Sequence, residues 1–97
     1  MSRRSLHEHE IEDFATTRFA EMGHVLLKFV SPGFPGTPDR IVLLNDGRQF
    51  FIEFKAPGGR LRRAQPTVIK MLRDMGHRVE IIDTFEQVHQ LLKELDA

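Results

Sequence analysis

Three residues of this chain could do chemistry together: Asp39, Glu53 and Lys55. Asp39 opens the run Asp39–Leu44 (DRIVLL) and Glu53 and Lys55 close the run Arg48–Lys55 (RQFFIEFK), both of which read as strands. Asn45-Asp46-Gly47 between them reads as a three-residue hairpin loop with Gly47 in the left-handed position. That loop sets Leu44 against Arg48, and counting back sets Asp39 directly opposite Glu53. Side chains alternate along a strand, so Asp39 shares a face with Ile41 and Leu43, and Glu53 shares it with Phe51 and Lys55. Directly opposed Cβ atoms lie about 4.5–5.5 Å apart, and like charges there are destabilising. A cation between them removes that cost. Two carboxylates with water suit a hard divalent ion such as Mg²⁺, which would polarise a phosphodiester oxygen and acidify water. Lys55 could position that water and stabilise charge developing on phosphorus.

The elements that must position this trio follow from periodicity. A helix is predicted from Leu6 to Met22, opened by a capping box of Ser5 and Glu8, with Ile11, Ala15, Phe19 and Met22 as its buried stripe and Gly23 as its stop. His24–Val30 reads as a strand. Residues 31–38 carry three prolines and two glycines and form an ordered loop. After the hairpin, Ala56–Arg62 is a second Gly/Pro loop; Gly58-Gly59 lacks the Lys-Ser/Thr of a phosphate-binding loop and reads as a turn. A helix over Ala64–Met75 (Val68, Ile69 and Leu72 inward, Gly76 as stop) leads to a strand over Val79–Asp83. Thr84 and Gln87 form a capping box for a last helix to Leu95, with Phe85, Val88, Leu91, Leu92 and Leu95 inward. The order α-β-β-β-α-β-α gives an α/β fold with a mixed sheet flanked by helices.

Ninety-seven residues make a single domain over 1–97. Its 40% apolar and 29% charged residues mark a globular chain rather than a disordered one. No apolar run, Val25-Leu26-Leu27 included, is long enough for a bilayer, and no signal peptide opens the sequence, so a cytoplasmic protein is expected. With no cysteine, disulfides, thiolate zinc sites and cysteine nucleophiles are excluded. His7 and His9 are splayed two apart and form no helical zinc motif.

Zero net charge hides a pattern: Lys55–Arg78 holds seven basic residues and one acid, whereas Glu80–Ala97 holds five acids and one base. A basic stretch of that kind is either a solvated face or a surface for a polyanion.

The residues then resemble a family. Gly36-Thr37-Pro38-Asp39 followed by Glu53-Phe54-Lys55 after a hairpin is similar to the P-D…E-x-K signature of the PD-(D/E)xK nucleases. Lys28-Phe29-Val30-Ser31-Pro32-Gly33, Gly36-x-Pro38-Asp39-Arg40, Glu53-x-Lys55-Ala56-Pro57-Gly58 and Gln65 look more specifically like the VRR-NUC branch, with likeness from about Glu8 to Leu92. The resemblance implies a restriction-endonuclease-like core and a metal-dependent DNA endonuclease, structure-specific and related to Holliday-junction resolvases, with Mg²⁺ or Mn²⁺ as cofactor. It implies that Asp39 and Glu53 are metal ligands and Lys55 the catalytic lysine. It further implies that the Phe54 carbonyl completes the coordination and that Gln65 is an auxiliary active-site residue. It also implies a carboxylate on the first helix. Glu10 points away from the buried stripe, whereas Glu12 and Glu8 flank it at about 100° per residue. With Glu8 explained as the capping acid, Glu12 is the expected ligand and Glu8 the alternative; a solvated role for Glu12 stays open.

Arg60, Arg62 and Arg63 lie beside the expected site and are candidate phosphate contacts. Lys28 is either a DNA contact or a lysine that protects a sheet edge. Phe34 is either a loop anchor or a wedge against DNA. Branched DNA is the expected partner, with no membrane and no small-molecule substrate. A four-way junction needs two cuts related by near two-fold symmetry, so a homodimer is expected. The alternatives are a flap or nicking nuclease, an exonuclease, or a DNA-binding module that does not cleave.

Overall fold

The structure, a computed structural model, describes residues 3–96, with side chains described from residue 8 onward. Its elements are α1 (Arg3–Glu21), β1 (Val25–Lys28), β2 (Arg40–Leu43), β3 (Gln49–Phe54), α2 (Gln65–Asp74), β4 (Val79–Ile82) and α3 (Phe85–Asp96). The strands form one mixed sheet in the order β1-β2-β3-β4. β1, β2 and β3 pair antiparallel, and β4 runs parallel to β3 after the crossover through α2. This is the α/β architecture of the restriction-endonuclease-like core, in the expected element order.

Alternation sorts the sheet into two faces. Val42, Phe50, Ile52 and Phe54 point to one face, where they join Ile11, Ala15 and Phe19 of α1 and Val88, Leu91 and Leu92 of α3 in the main core. Arg78, beside β4, ties this layer together: its guanidinium bonds Glu80 at 2.8 Å and Glu94 of α3 at 3.0 Å, and lies 5.0 Å from the Phe50 ring centre. The opposite face carries Ile41, Phe51 and Glu53. α2 packs toward its β4 side through buried Val68 and Ile69, while Val25, Leu27 and Leu43 on the β1–β2 side stay exposed.

The hairpin has the expected register. Arg40 pairs with Ile52 and Leu43 with Gln49. The Leu44 N–H donates to the Arg48 carbonyl at 2.8 Å, and Gly47 takes φ +94°. The Thr84–Gln87 capping box also forms, with reciprocal bonds of 3.1 Å.

Two expectations fail. α1 begins at Arg3, so Ser5 is not its N-cap and Glu8 is not a capping acid; arginine is a good helix former, and Arg3-Arg4 extend the helix past the sequence signal. The Ser5 and His7 side chains lie outside the described residues. Phe85 does not point into the core: it is 43% exposed and meets Phe14 edge-on at 5.4 Å, because it sits on the first residue of α3, beyond the reach of the buried stripe.

Candidate active site

Asp39 immediately precedes β2 and Glu53 lies one residue before the end of β3, so the register sets them across from each other at the rim of the sheet. The turn that delivers Asp39 is tightly built. Gly36 has φ +99°, and a Cβ there would lie 2.8 Å from both the Ala64 carbonyl and the Val68 side chain. The loop is thereby seated on the start of α2, and Pro38 is fully buried behind Asp39.

Glu53 is 1% exposed, and both its oxygens are engaged. Oε1 accepts the Asp39 backbone N–H at 3.1 Å, and Oε2 lies 3.0 Å from Lys55 Nζ. Parity places Lys55 on the same face, as expected. Phe54, between them, buries its side chain in the opposite core. The Lys55 N–H donates to the Ile82 carbonyl at 2.8 Å, which anchors the strand end.

Asp39 is different. Its Oδ1 is buried and accepts no hydrogen bond. Burial holds its carboxyl above the usual carboxylate range. The negative charges of Glu53 and Glu12 push the same way, and Arg40 and Arg62 push against them.

The first helix contributes Glu12. It ion-pairs with Arg40, and the two side chains are 15% and 19% exposed. Arg40 Nη1 also bonds the Asp39 carbonyl at 2.9 Å and lies 3.8 Å from Asp39 Oδ1. Glu8 is partly exposed on the same helix. Among the described residues, no group of three or more His, Asp or Glu side chains is arranged to hold a metal ion. Asp39 and Glu53 therefore stand as a carboxylate pair, with Glu12 turned to Arg40. Their donors are all oxygens, and one of them is buried without a hydrogen-bond partner, which fits a hard divalent cation.

Gln65 opens α2 and is fully buried. Its backbone N–H donates to the Arg62 carbonyl at 2.9 Å, and its Oε1 accepts the Arg62 backbone N–H at 2.8 Å, which fixes the amide so that Nε2 is a buried donor without a hydrogen-bond partner. Arg60, Arg62 and Arg63 are exposed on the turn before α2, and Arg62 is the one whose charge reaches Asp39. Lys28 is exposed and stands across from Arg40 at the same end of the sheet. Phe34 is 47% exposed.

Sequence reasoning missed the role of Arg40. It stood in the quoted Gly36-x-Pro38-Asp39-Arg40 segment, but nothing local pairs it with a helix residue 28 positions away. The histidines are used elsewhere: His24 Nδ1 accepts the Asn45 N–H at 3.1 Å and braces the hairpin, and His9 pairs with Asp13 on the α1 surface.

No helix among the described residues is long and apolar enough to cross a membrane. Residues 7–86 match the VRR-NUC domain family. The chain is 37% identical over 81 residues to "Putative nuclease p44" of Acyrthosiphon pisum secondary endosymbiont phage 1, covering 84% of this chain and 87% of that protein. A solved structure described as a VRR_NUC domain superposes with a TM-score of 0.82 at 27% identity, over 90% of this chain and 95% of that one. With nearly its whole length matched and the motif residues gathered at one sheet rim, the chain belongs to the VRR-NUC family of nucleases, built on the restriction-endonuclease-like fold.

Proposed function

We propose that the protein is a structure-specific DNA endonuclease that hydrolyses phosphodiester bonds with Mg²⁺ or Mn²⁺ and acts on four-way junctions. The observation that carries this is the facing of Asp39 and Glu53 across the hairpin, with Lys55 on Glu53 and one Asp39 oxygen buried without a hydrogen-bond partner.

Asp39 and Glu53 would hold the cation, with the Phe54 carbonyl as a further oxygen, while Glu12, the ligand expected from the first helix, is engaged by Arg40 and lends its negative charge nearby. Such an ion, when bound, polarises a phosphate oxygen and acidifies water. The remaining work falls to the chain's own groups. Lys55 stabilises negative charge as it develops on the phosphate. Gln65 offers its free amide N–H₂ to a phosphate oxygen or to the attacking water. Arg60, Arg62, Arg63 and Lys28 hold the DNA backbone, which orients the cut phosphate without reading sequence. Two cuts at a junction call for a homodimer. The uncovered β1–β2 face, with Val25, Leu27 and Leu43 exposed, supports an association of that kind.

Purified protein with Mg²⁺ or Mn²⁺ and duplex, flap, fork, splayed-arm, circular and four-way-junction DNA tests the reading. Paired, symmetric, metal-dependent cuts in the junction are expected, with a dimer mass by light scattering. Preferred cutting of flaps, single uncorrelated nicks from a monomer, or digestion from ends would replace the junction reading by another nuclease mode. Tight junction binding without cleavage would make the protein a binding module.

A further inference from the structure

The acids at the sheet rim outnumber the partners that Lys55 can serve. Asp39 precedes β2, Glu53 lies on β3 and Glu12 comes from α1; Lys55 neutralises Glu53 alone. Among the described residues, the guanidinium that pairs with both remaining acids is that of Arg40. Arg40 alternates onto the α1 side of the sheet, with Val42 and Ile52. From there one arm of its planar fork reaches Glu12, and the other bonds the Asp39 carbonyl at 2.9 Å and faces Asp39 Oδ1 at 3.8 Å. Arg40 and Glu12 are both mostly buried, so neither charge is screened by bulk water as a surface pair would be.

We infer that Arg40 is a positioning residue and the built-in counter-cation of this carboxylate cluster: it holds Glu12 of α1 beside Asp39 and opposes a second cation at the same carboxylates. This rests on the proposed cation site at Asp39 and Glu53. Two consequences have opposite signs. Without Arg40, the cluster keeps its negative charge and loses its positive one, so a divalent cation binds more tightly. Without the Glu12 charge, Arg40 is left unpaired beside Asp39, and the cation binds more weakly. A purely structural ion pair would lower folding stability in both variants and move cation affinity in neither.

The test is calorimetric titration of Mn²⁺ into the DNA-free, full-length protein, with thermal melting of the metal-free form alongside. Arg40→Gln is expected to bind Mn²⁺ about threefold or more tighter than the parent, and Glu12→Gln about threefold or more weaker. Both should melt lower without metal. If Arg40→Gln does not fold alone, Glu12→Gln and the double Glu12→Gln/Arg40→Gln variant carry the test. The double variant, whose removed charges cancel, is expected within about twofold of the parent. Unchanged affinity in the single variants, or weaker binding by Arg40→Gln, overturns the inference. Asp39→Asn is the control for the reading beneath it: Mn²⁺ binding that survives Asp39→Asn overturns the cation site itself, whereas its loss together with an unmoved Arg40→Gln affinity overturns only the role of Arg40.

Discussion

The backbone N–H of Asp39 donates to the side chain of Glu53 at 3.1 Å, so Asp39 helps to aim its own opposing carboxylate. With Lys55 on the other oxygen, Glu53 has no rotational freedom left, whereas the Asp39 carboxylate keeps a buried, unbonded oxygen. The two acids are thus unequal: one is locked and charge-balanced, and the other is held under electrostatic strain.

That strain predicts a stability gain on neutralising Asp39. Burial and the Glu53 charge raise its pKa in the folded protein, so folding favours its protonated form. The stability it confers is full below the ordinary carboxylate pKa and is lost as pH rises through the raised one. Asp39→Asn should therefore melt about 1–4 °C higher than the parent at neutral pH without metal, and the gap should close toward about pH 3. The same variant, like Glu53→Gln, should lose cleavage by about 100-fold or more. Melting curves across pH and a cleavage assay on the two variants check this; a lower neutral-pH melting temperature for Asp39→Asn contradicts it.

Lys55→Ala should separate rate from affinity. Among the described residues Lys55 pairs with Glu53 and no other acid, so its removal should slow cleavage about 100-fold while Mn²⁺ binding is kept or slightly tightened. It also leaves a carboxylate that is 1% exposed without its cation, at a cost of about 1–3 kcal/mol. Single-turnover rates beside a binding titration are the measurement.

Gly36→Ala should damage the site from outside it. The new methyl meets the Ala64 carbonyl and Val68 at 2.8 Å on a backbone with φ +99°, so the loop that delivers Asp39 must lift off α2. We expect a loss of about 2–4 kcal/mol and a fall in cleavage. Gly33→Ala is the comparison: its φ is +83° but the space around it is open, so about 1 kcal/mol is expected. Denaturant titration of the two variants decides; equal losses would mean that backbone conformation, rather than the contact with α2, is what Gly36 supplies.

Neutralising Arg60, Arg62 and Arg63 together should weaken binding about equally across DNA sequences. It should also flatten the salt dependence by about one slope unit for each lost phosphate contact. Arg62, whose charge is felt at Asp39, should contribute most to cleavage rate. An unchanged slope would return the basic turn to the role of a solvated surface.

Much of the fold, and the facing of Asp39 and Glu53, was legible in the sequence because both follow local rules. A strand alternates with period two, and Gly47 with its two predecessors admits one simple loop, so register can be counted from the turn outward. The Thr84–Gln87 cap and the α1 stripe were legible for the same reason. The start of α1 was not, because the Ser5–Glu8 pattern imitates a cap inside a helix that already begins at Arg3.

Tertiary packing alone decided the rest. Which α1 acid reaches the sheet rim depends on the angle at which that helix crosses the sheet, set by Ile11, Ala15 and Phe19 against Val42 and Ile52 rather than by anything near Glu12. The pairing of Glu12 with Arg40, the seating of Gly36 on α2 and the fixed amide of Gln65 are contacts between segments that meet only when the chain folds. A sequence specifies such contacts only through the core that brings them together. The types and register of Asp39, Glu53 and Lys55 are therefore readable from spacing, whereas the charge balance around them exists only in the packed molecule.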